Sequence, residues 1–355
     1  MDNVNTFTIR PQILALTGLR FFAASMVFLF HSGAGFALKI GAPISVVNFL
    51  SNGFLGVSLF FVLSGFVLTY TYRDGVSSKK KYLLARFARV YPVYMLALIV
   101  SLPLVYANLH FSDYVFVLGM VQSWTPYNSS YGFMWIMQAW TISVELFFYL
   151  TFPFLIVFLK KIPTKIGLIF LIVIMFLIIN FGLSTISPGS NRPEYPLWIN
   201  FVILPVLRFP EFCLGAIVCR IYLNNISYLN KFPKKYLDLS IFINLLLIVF
   251  ILSRYSIQSY SILSVATLLF VVLILLFSLG DSIFSRAISC NVLVLLGGAS
   301  YAEYILQGPI REWVRLFLPS SVIGQIISPV ILIAVSIFVY VFYETPVRRR
   351  ILNQL

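Results

Sequence analysis

The sequence predicts an all-α polytopic membrane protein. Three observations carry that prediction. Of the 355 residues, 60% are hydrophobic and only 10% are charged. Apolar runs close to the length needed to cross a bilayer recur along the whole chain, KIGLIFLIVIMFLIINFGL (165–183) being the purest. The basic residues collect in alternate connecting segments rather than spreading evenly. A mean hydropathy of +0.97 excludes an ordinary soluble domain.

About ten transmembrane helices are expected, near 14–38, 50–72, 87–107, 135–159, 166–184, 198–222, 237–253, 260–279, 291–317 and 323–343. The first is kept as a span rather than read as a cleavable signal. Arg20 and His31 interrupt its apolar run, and no clear small-residue cleavage site follows. The second carries GVSLFFVLSGFVLTY (56–70). The third follows the longest charged stretch of the chain, TYRDGVSSKKKYLLARFARVYP. Segment 108–134 stays outside or dips in partway, because DYVFVLGMVQSW is too short to cross comfortably. The fourth span carries WTISVELFFYL, the fifth is almost pure hydrocarbon, and the sixth contains LRFPEF. The seventh and eighth are apolar with little chemistry, the ninth carries GGASYAEYILQGPI, and the tenth leads into YETPVRR. The expected organisation is one transmembrane domain over residues 1–355, with no appended soluble domain.

With the N-terminus in the cytoplasm, eighteen of the 25 Lys and Arg residues fall on the inner side and five on the outer, and Arg20 and Arg208 lie within spans. That asymmetry places both termini in the cytoplasm. It also explains the net charge of +14 without nucleic acid, and no nucleic-acid partner is expected. The three cysteines, Cys213, Cys219 and Cys290, are odd in number and lie in or beside spans, so no disulfide framework is implied. Two histidines and three scattered cysteines lack metal-site spacing. No solenoid repeat, G-x-S-x-G elbow, P-loop or H-E-x-x-H helix is present.

Ionisable side chains inside spans are costly, so each marks a candidate site. Arg20 and His31 are eleven residues apart on one helix, hence on one face and roughly 16 Å apart along the axis. A cation at one depth and an imidazole at another suit a long anionic molecule with a reactive tip. His31 is the one histidine within an expected span, and a neutral imidazole there is able to take a proton from a hydroxyl. A buried histidine bonded to a neighbouring helix is the plainer alternative. His110, in ANLHFSD, reads as a surface histidine. Arg86 and Arg89 stand at i and i+3 beside Lys79, Lys80 and Lys81. They fit a bidentate phosphate grip and fit positive-inside anchoring equally well. Glu145 needs a partner at its depth. Arg208 and Glu211, at i and i+3, are expected to satisfy each other. Glu303 has no local partner, and Gly297 and Gly298 suit close helix packing better than phosphate binding.

Taken together, these segments resemble the acyltransferase-3 family of membrane acyltransferases, in order and over nearly the whole chain. LTGLRFFAASMVFLFH looks like the family's L-D-G-L-R…H opening, with its Arg-x10-His spacing at Arg20 and His31. GVSLFFVLSGF, which contains Ser64, is similar to G-V-D-x-F-F-V-x-S-G-F. RFARVYP matches R-x-x-R-x-x-P at Arg86 and Arg89, and WTISVELFFY resembles W-S-L-x-V-E-x-x-F-Y with Glu145 in place. GGASYAEYILQGPI and YETPVRR resemble the closing S-Y-x-x-Y-L-x-H-x-P and E-x-P segments. Thr17 and Ser58 stand where the family usually has Asp, and Gln307 stands where a late histidine is frequent.

The resemblance implies transfer of an acyl group, commonly acetyl, from cytoplasmic acyl-CoA to a hydroxyl of a cell-envelope or exported polysaccharide or its lipid-linked precursor. It implies His31 and Glu145 as catalytic residues. Arg20, Arg86, Arg89 and Ser64 would contact the donor, with Arg86 and Arg89 on the CoA phosphates. Acyl-CoA is then a co-substrate, with no tightly bound cofactor and no metal. The other expected partners are a carbohydrate acceptor and membrane lipid, in a bacterial inner membrane. Direct transfer and an acyl-histidine relay both remain open. A transporter or flippase for a lipid-linked sugar is the alternative reading, since buried charges line transport paths too. A different fold built around a lone histidine is a third.

Overall fold

Over its described residues, each of the ten apolar stretches is mostly helical in the computed structural model, which describes residues 12–104, 111–125, 135–183, 203–229, 233–255, 261–280, 282–318 and 322–354. The helices are α1 (Leu14–Lys39), α2 (Ile44–Ser51), α3 (Gly56–Thr71), α4 (Lys79–Ser101), α5 (Phe111–Leu118), α6 (Trp140–Lys161), α7 (Thr164–Leu183), α8 (Leu204–Leu229), α9 (Lys234–Arg254), α10 (Ser261–Ser278), α11 (Ile283–Ile288), α12 (Asn291–Phe317), α13 (Val322–Val339) and α14 (Thr345–Asn353). No strand occurs among the described residues. Six helical stretches among them are long and apolar enough to cross a membrane: Leu14–Lys39, Ile44–Thr71, Lys79–Leu104, Met137–Lys161, Lys234–Arg254 and Ile323–Asn353. The fold is therefore an all-helical membrane architecture, as the composition predicts.

The second stretch is not one rod. A 3₁₀ turn, Asn52–Leu55, separates α2 from α3, and the side-chain amide of Asn52 donates to Leu252 O (2.9 Å) and Tyr255 O (2.8 Å) at the end of α9. Helix α5 has only eight residues and is too short to cross. The segment after it folds back onto α6, where Trp124 Nε1 donates to Ser143 O at 2.9 Å and Gln122 Nε2 to Ala139 O at 2.8 Å. The expectation that 108–134 does not cross holds for its described part, residues 111–125.

Two hydrophobic clusters build the interior. One joins α4, α6 and α12 around Tyr94, Phe148, Phe152 and Ile305. The other joins α1, α3, α8, α9 and α10 around Leu59, Phe66, Ile241 and Phe270. Phe60 packs against both, so α3 is the seam between them. Helices α3 and α8 approach closely because of two glycines. A Cβ at Gly65 would collide with Phe212 O, and one at Gly215 with Val62 O. Small residues are how membrane helices gain contact where the hydrophobic effect cannot drive them together. Gly65→Ala or Gly215→Ala is expected to lower stability by about 1–3 kcal/mol through overpacking, read as a lower unfolding temperature of the purified protein.

The same device joins α1 to α12. A Cβ at Gly297 would strike Thr17 O, and one at Gly298 would strike the Tyr340 ring. Both glycines serve packing, as their sequence context suggested. After α13 the chain makes a five-residue π-helical turn, Tyr340–Glu344, before α14. Such turns widen a helix locally and re-aim one side chain, often at functional sites. Here the residue re-aimed inward is Glu344, whose side chain is 1% exposed.

Candidate active site

Six elements bring charged or polar side chains to one interior place: α1, α3, α4, α6, the π turn and α14. Ser64, midway along α3, donates its hydroxyl to Glu145 Oε1 on α6 at 3.4 Å. Tyr149, one helical turn further along α6, lies against the same carboxylate. Arg20 on α1 is within electrostatic reach of Arg89, Glu145, Tyr149 and Glu344. Arg89 forms an ion pair with Glu344. Arg86 sits one turn before it, with its guanidinium 5.9 Å from the centre of the Tyr72 ring. Arg348 on α14 is within reach of Arg86, Arg89 and Glu344.

Four guanidinium groups, of Arg20, Arg86, Arg89 and Arg348, thus face two carboxylates, of Glu145 and Glu344. Three buried polar atoms here, Arg86 Nε, Glu344 Oε2 and Tyr82 Oη, have no hydrogen-bond partner among the described residues. A cluster with surplus positive charge and unsatisfied donors is suited to an anion with several oxygens. The helix starts fit this use. Helix α4 opens with Lys79, Lys80 and Lys81, and α14 carries Arg349 and Arg350, so further basic residues stand on the two helices that supply Arg86, Arg89 and Arg348.

Helix α1 runs unbroken from Leu14 to Lys39, so Arg20 and His31 share a face as their spacing predicts. The two ends of that face differ in company. At the Arg20 end stands the charged cluster with Ser64, Glu145 and Arg89. At the His31 end stands a cation. Arg311 Nη1 on α12 donates to the His31 backbone oxygen at 3.0 Å, and its charge acts on the imidazole. The His31 ring packs against Phe30 with centroids 4.8 Å apart. Glu145 therefore belongs with Ser64, Tyr149 and Arg20, and its hydrogen bonds run to that network.

The other candidates resolve as follows. Arg208 and Glu211 pair at 3.0 Å, as their i,i+3 spacing predicts. Arg208 Nη2 also donates to Ser58 Oγ at 3.1 Å, and its guanidinium lies over Phe61 and Trp140. Ser58, one of the departures from the family pattern, thus serves this arginine with a neutral hydroxyl. Gln307, another departure, donates to Tyr304 O in its own helix at 2.7 Å. Glu303 accepts from Ser25 Oγ at 3.2 Å and lines a separate cavity of about 290 Å³ between α1, α12 and α13. It does not join the arginine cluster. His110 lies outside the described residues.

Sequence reasoning did not select Glu344, Arg348, Tyr149 or Arg311. Glu344 had a signal in the E-x-P segment. Arg311 had none, because it meets His31 from 280 positions away.

Comparison with known proteins gives the family. A family profile described as an acyltransferase domain, Acyl_transf_3, matches residues 13–344. The chain belongs to the acyltransferase-3 family. Relatives within reach of sequence comparison carry matching names. "Acyltransferase MdmB" of Streptomyces mycarofaciens is 29% identical over 226 residues, covering 59% of this chain and 57% of its own. "O-acetyltransferase OatA" of Staphylococcus aureus is 25% identical over 382 positions, covering 96% of this chain and 58% of its own. A putative O-acetyltransferase of S. aureus strain COL is 27% identical over 375 positions, at 95% and 57%. This chain thus spans a little over half the length of these relatives. No solved structure matches it. Membership in the acyltransferase-3 family gives the two ends of the α1 face a chemical context.

Proposed function

We propose that this acyltransferase-3 protein moves an acyl group, acetyl in the simplest case, from cytoplasmic acyl-CoA to a hydroxyl of a cell-envelope or exported polysaccharide or its lipid-linked precursor. In this reading the chain crosses a bacterial inner membrane about ten times, with both termini in the cytoplasm. The observation that carries the reading is the excess of guanidinium over carboxylate in the interior cluster, on the same helix face as a histidine roughly 16 Å away. A nucleotide phosphate group enters past Lys79–Lys81 and is gripped by Arg86, whose Nε has no hydrogen-bond partner among the described residues. The pantetheine arm passes Arg20 and carries the thioester toward His31.

His31 is the general base that takes the proton from the acceptor hydroxyl as its oxygen attacks the thioester carbon. Ser64, Glu145 and Tyr149 hold Arg20 in place beside the donor arm. Glu145 acts on the donor side of the site, since its partners are Ser64 and Tyr149. The printed names of the relatives, O-acetyltransferase among them, favour acetyl as the group transferred.

The test is transfer of labelled acetyl from acetyl-CoA into envelope carbohydrate by membranes containing the protein, against membranes without it. Mass spectrometry of the product separates a new ester from intact substrate that has only been moved, which is what a flippase would leave. No new ester in the presence of the protein overturns the proposal. Within this scheme Arg86→Ala is expected to raise the apparent KM for acetyl-CoA about tenfold, the effect of losing one charge-assisted contact. Its unfolding temperature should stay near that of the wild type, because Arg86 gives up no ion pair.

A further inference from the structure

Acyl transfer through a tetrahedral intermediate needs a donor for the oxyanion, and no sequence motif in this chain supplies one. We propose that Arg311 is that donor, a catalytic role that rests on the acyltransferase reading above. Three features of its setting point to it. Its Nη1 is fixed by the His31 backbone oxygen at 3.0 Å, so the guanidinium is tied to the helical turn that presents the imidazole. The guanidinium is a rigid fork with five N–H groups, and one bond leaves the others free to aim at a neighbouring oxygen. The remaining contact is weak: Nη2 lies 3.5 Å from Glu312 Oε1, while Glu312 Oε2 is shared with Arg315 at 3.6 Å. One carboxylate is thus divided between two guanidinium groups, and Arg311, Glu312 and Arg315 together carry a net positive charge near His31.

The side chain is 34% exposed, so it is neither sealed in the core nor free in solvent. A guanidinium held by a backbone carbonyl in this way is oriented before substrate arrives, which is the condition under which such donors accelerate a reaction most. In the step proposed, the acceptor O–H bond breaks as its proton passes to His31 and its oxygen bonds to the thioester carbon. The carbonyl π electrons move to the oxygen, which becomes the anion that Arg311 binds. Collapse of the intermediate breaks the C–S bond, and the sulfur takes the proton from the imidazolium. The products are the ester and the free thiol of CoA. The same arginine that anchors the α1 turn thereby stabilises the charge that this turn's imidazole generates.

The test compares wild type, Arg311→Ala, Arg311→Lys and His31→Ala in membranes at matched protein level, with acetyl-CoA as donor and envelope carbohydrate as acceptor. Arg311→Ala is expected to lower the maximal rate about 100-fold, the usual loss for one oxyanion donor. The KM for acetyl-CoA should stay within twofold, because the phosphates are held elsewhere. Added methylguanidinium should recover at least tenfold of the loss in Arg311→Ala and nothing in His31→Ala, a rescue that a merely structural arginine would not give. Arg311→Lys keeps the charge and the fold but cannot serve two oxygens in one plane, and should lose about tenfold. A maximal rate for Arg311→Ala within threefold of wild type, or a loss that methylguanidinium does not recover, overturns the role. If Arg311→Ala fails to accumulate, Arg311→Lys decides, and wild-type rate in that variant overturns the role. A wild-type protein that transfers no label brings down the acyltransferase reading together with this one. An active wild type with an equally active Arg311→Ala brings down this one alone.

Discussion

His31→Ala is expected to abolish most acyl transfer, with a fall of about 10²–10⁴-fold, the range for loss of a general base. The size follows from the surroundings of the imidazole. It lies on an unbroken helix inside the apolar layer, beside a guanidinium and an aromatic ring. No second histidine stands on the described part of the chain to replace it. Stability should change little, because the Arg311 contact runs to the backbone oxygen of His31 and survives the substitution. The measurement is labelled acetyl transfer at matched expression, with the unfolding temperature as control. Transfer at the wild-type rate would remove His31 from the mechanism and leave the base to be sought elsewhere.

The second large effect concerns stability. Glu344→Ala should destabilise the fold by about 3–5 kcal/mol, because it strands a buried guanidinium. Arg89 and Glu344 pair across α4 and the π turn, with side chains 13% and 1% exposed. Removing the carboxylate leaves Arg89 and Arg348 facing Arg20 and Arg86 with only Glu145 to offset them. Replacing both partners, as Arg89→Met with Glu344→Leu, should recover much of the loss, since an apolar pair of similar volume leaves no orphaned charge. The check is a double-mutant cycle on the unfolding temperature of the purified protein. A loss in the double variant equal to the sum of the losses in Arg89→Met and Glu344→Leu would mean that the pair contributes nothing as a pair.

These two results separate roles that the local sequence joins. Arg86 and Arg89 sit three residues apart in one motif and read as equivalent. Their environments differ: Arg89 has a buried carboxylate against it, while Arg86 keeps an unpartnered Nε beside an aromatic ring. Arg86 is accordingly the donor contact whose loss should appear in KM, and Arg89 the one whose loss should appear in stability.

Much of the architecture was legible in the chain because a bilayer imposes a coarse rule. A run of apolar residues in hydrocarbon must satisfy its own backbone, and the helix does so locally. The runs therefore announced the helices, the scarce charges within them announced candidate sites, and the shared face of Arg20 and His31 followed from 3.6 residues per turn. Local pairs were equally readable, as Arg208 with Glu211 demonstrates. The break between α2 and α3 was not, because it depends on Asn52 reaching carbonyls two hundred positions away. Nor was the company of each buried charge. Glu145 needs a partner at its depth, and helix packing sets it beside Ser64 and within reach of Arg20, while it brings Arg311 to His31. Periodicity and hydropathy act between near neighbours, so the sequence alone decided which segments are helical and which face of each carries chemistry. Which charges meet depends on how close helices approach, through glycines such as Gly65, Gly215 and Gly297. That approach exists only once the helices are packed.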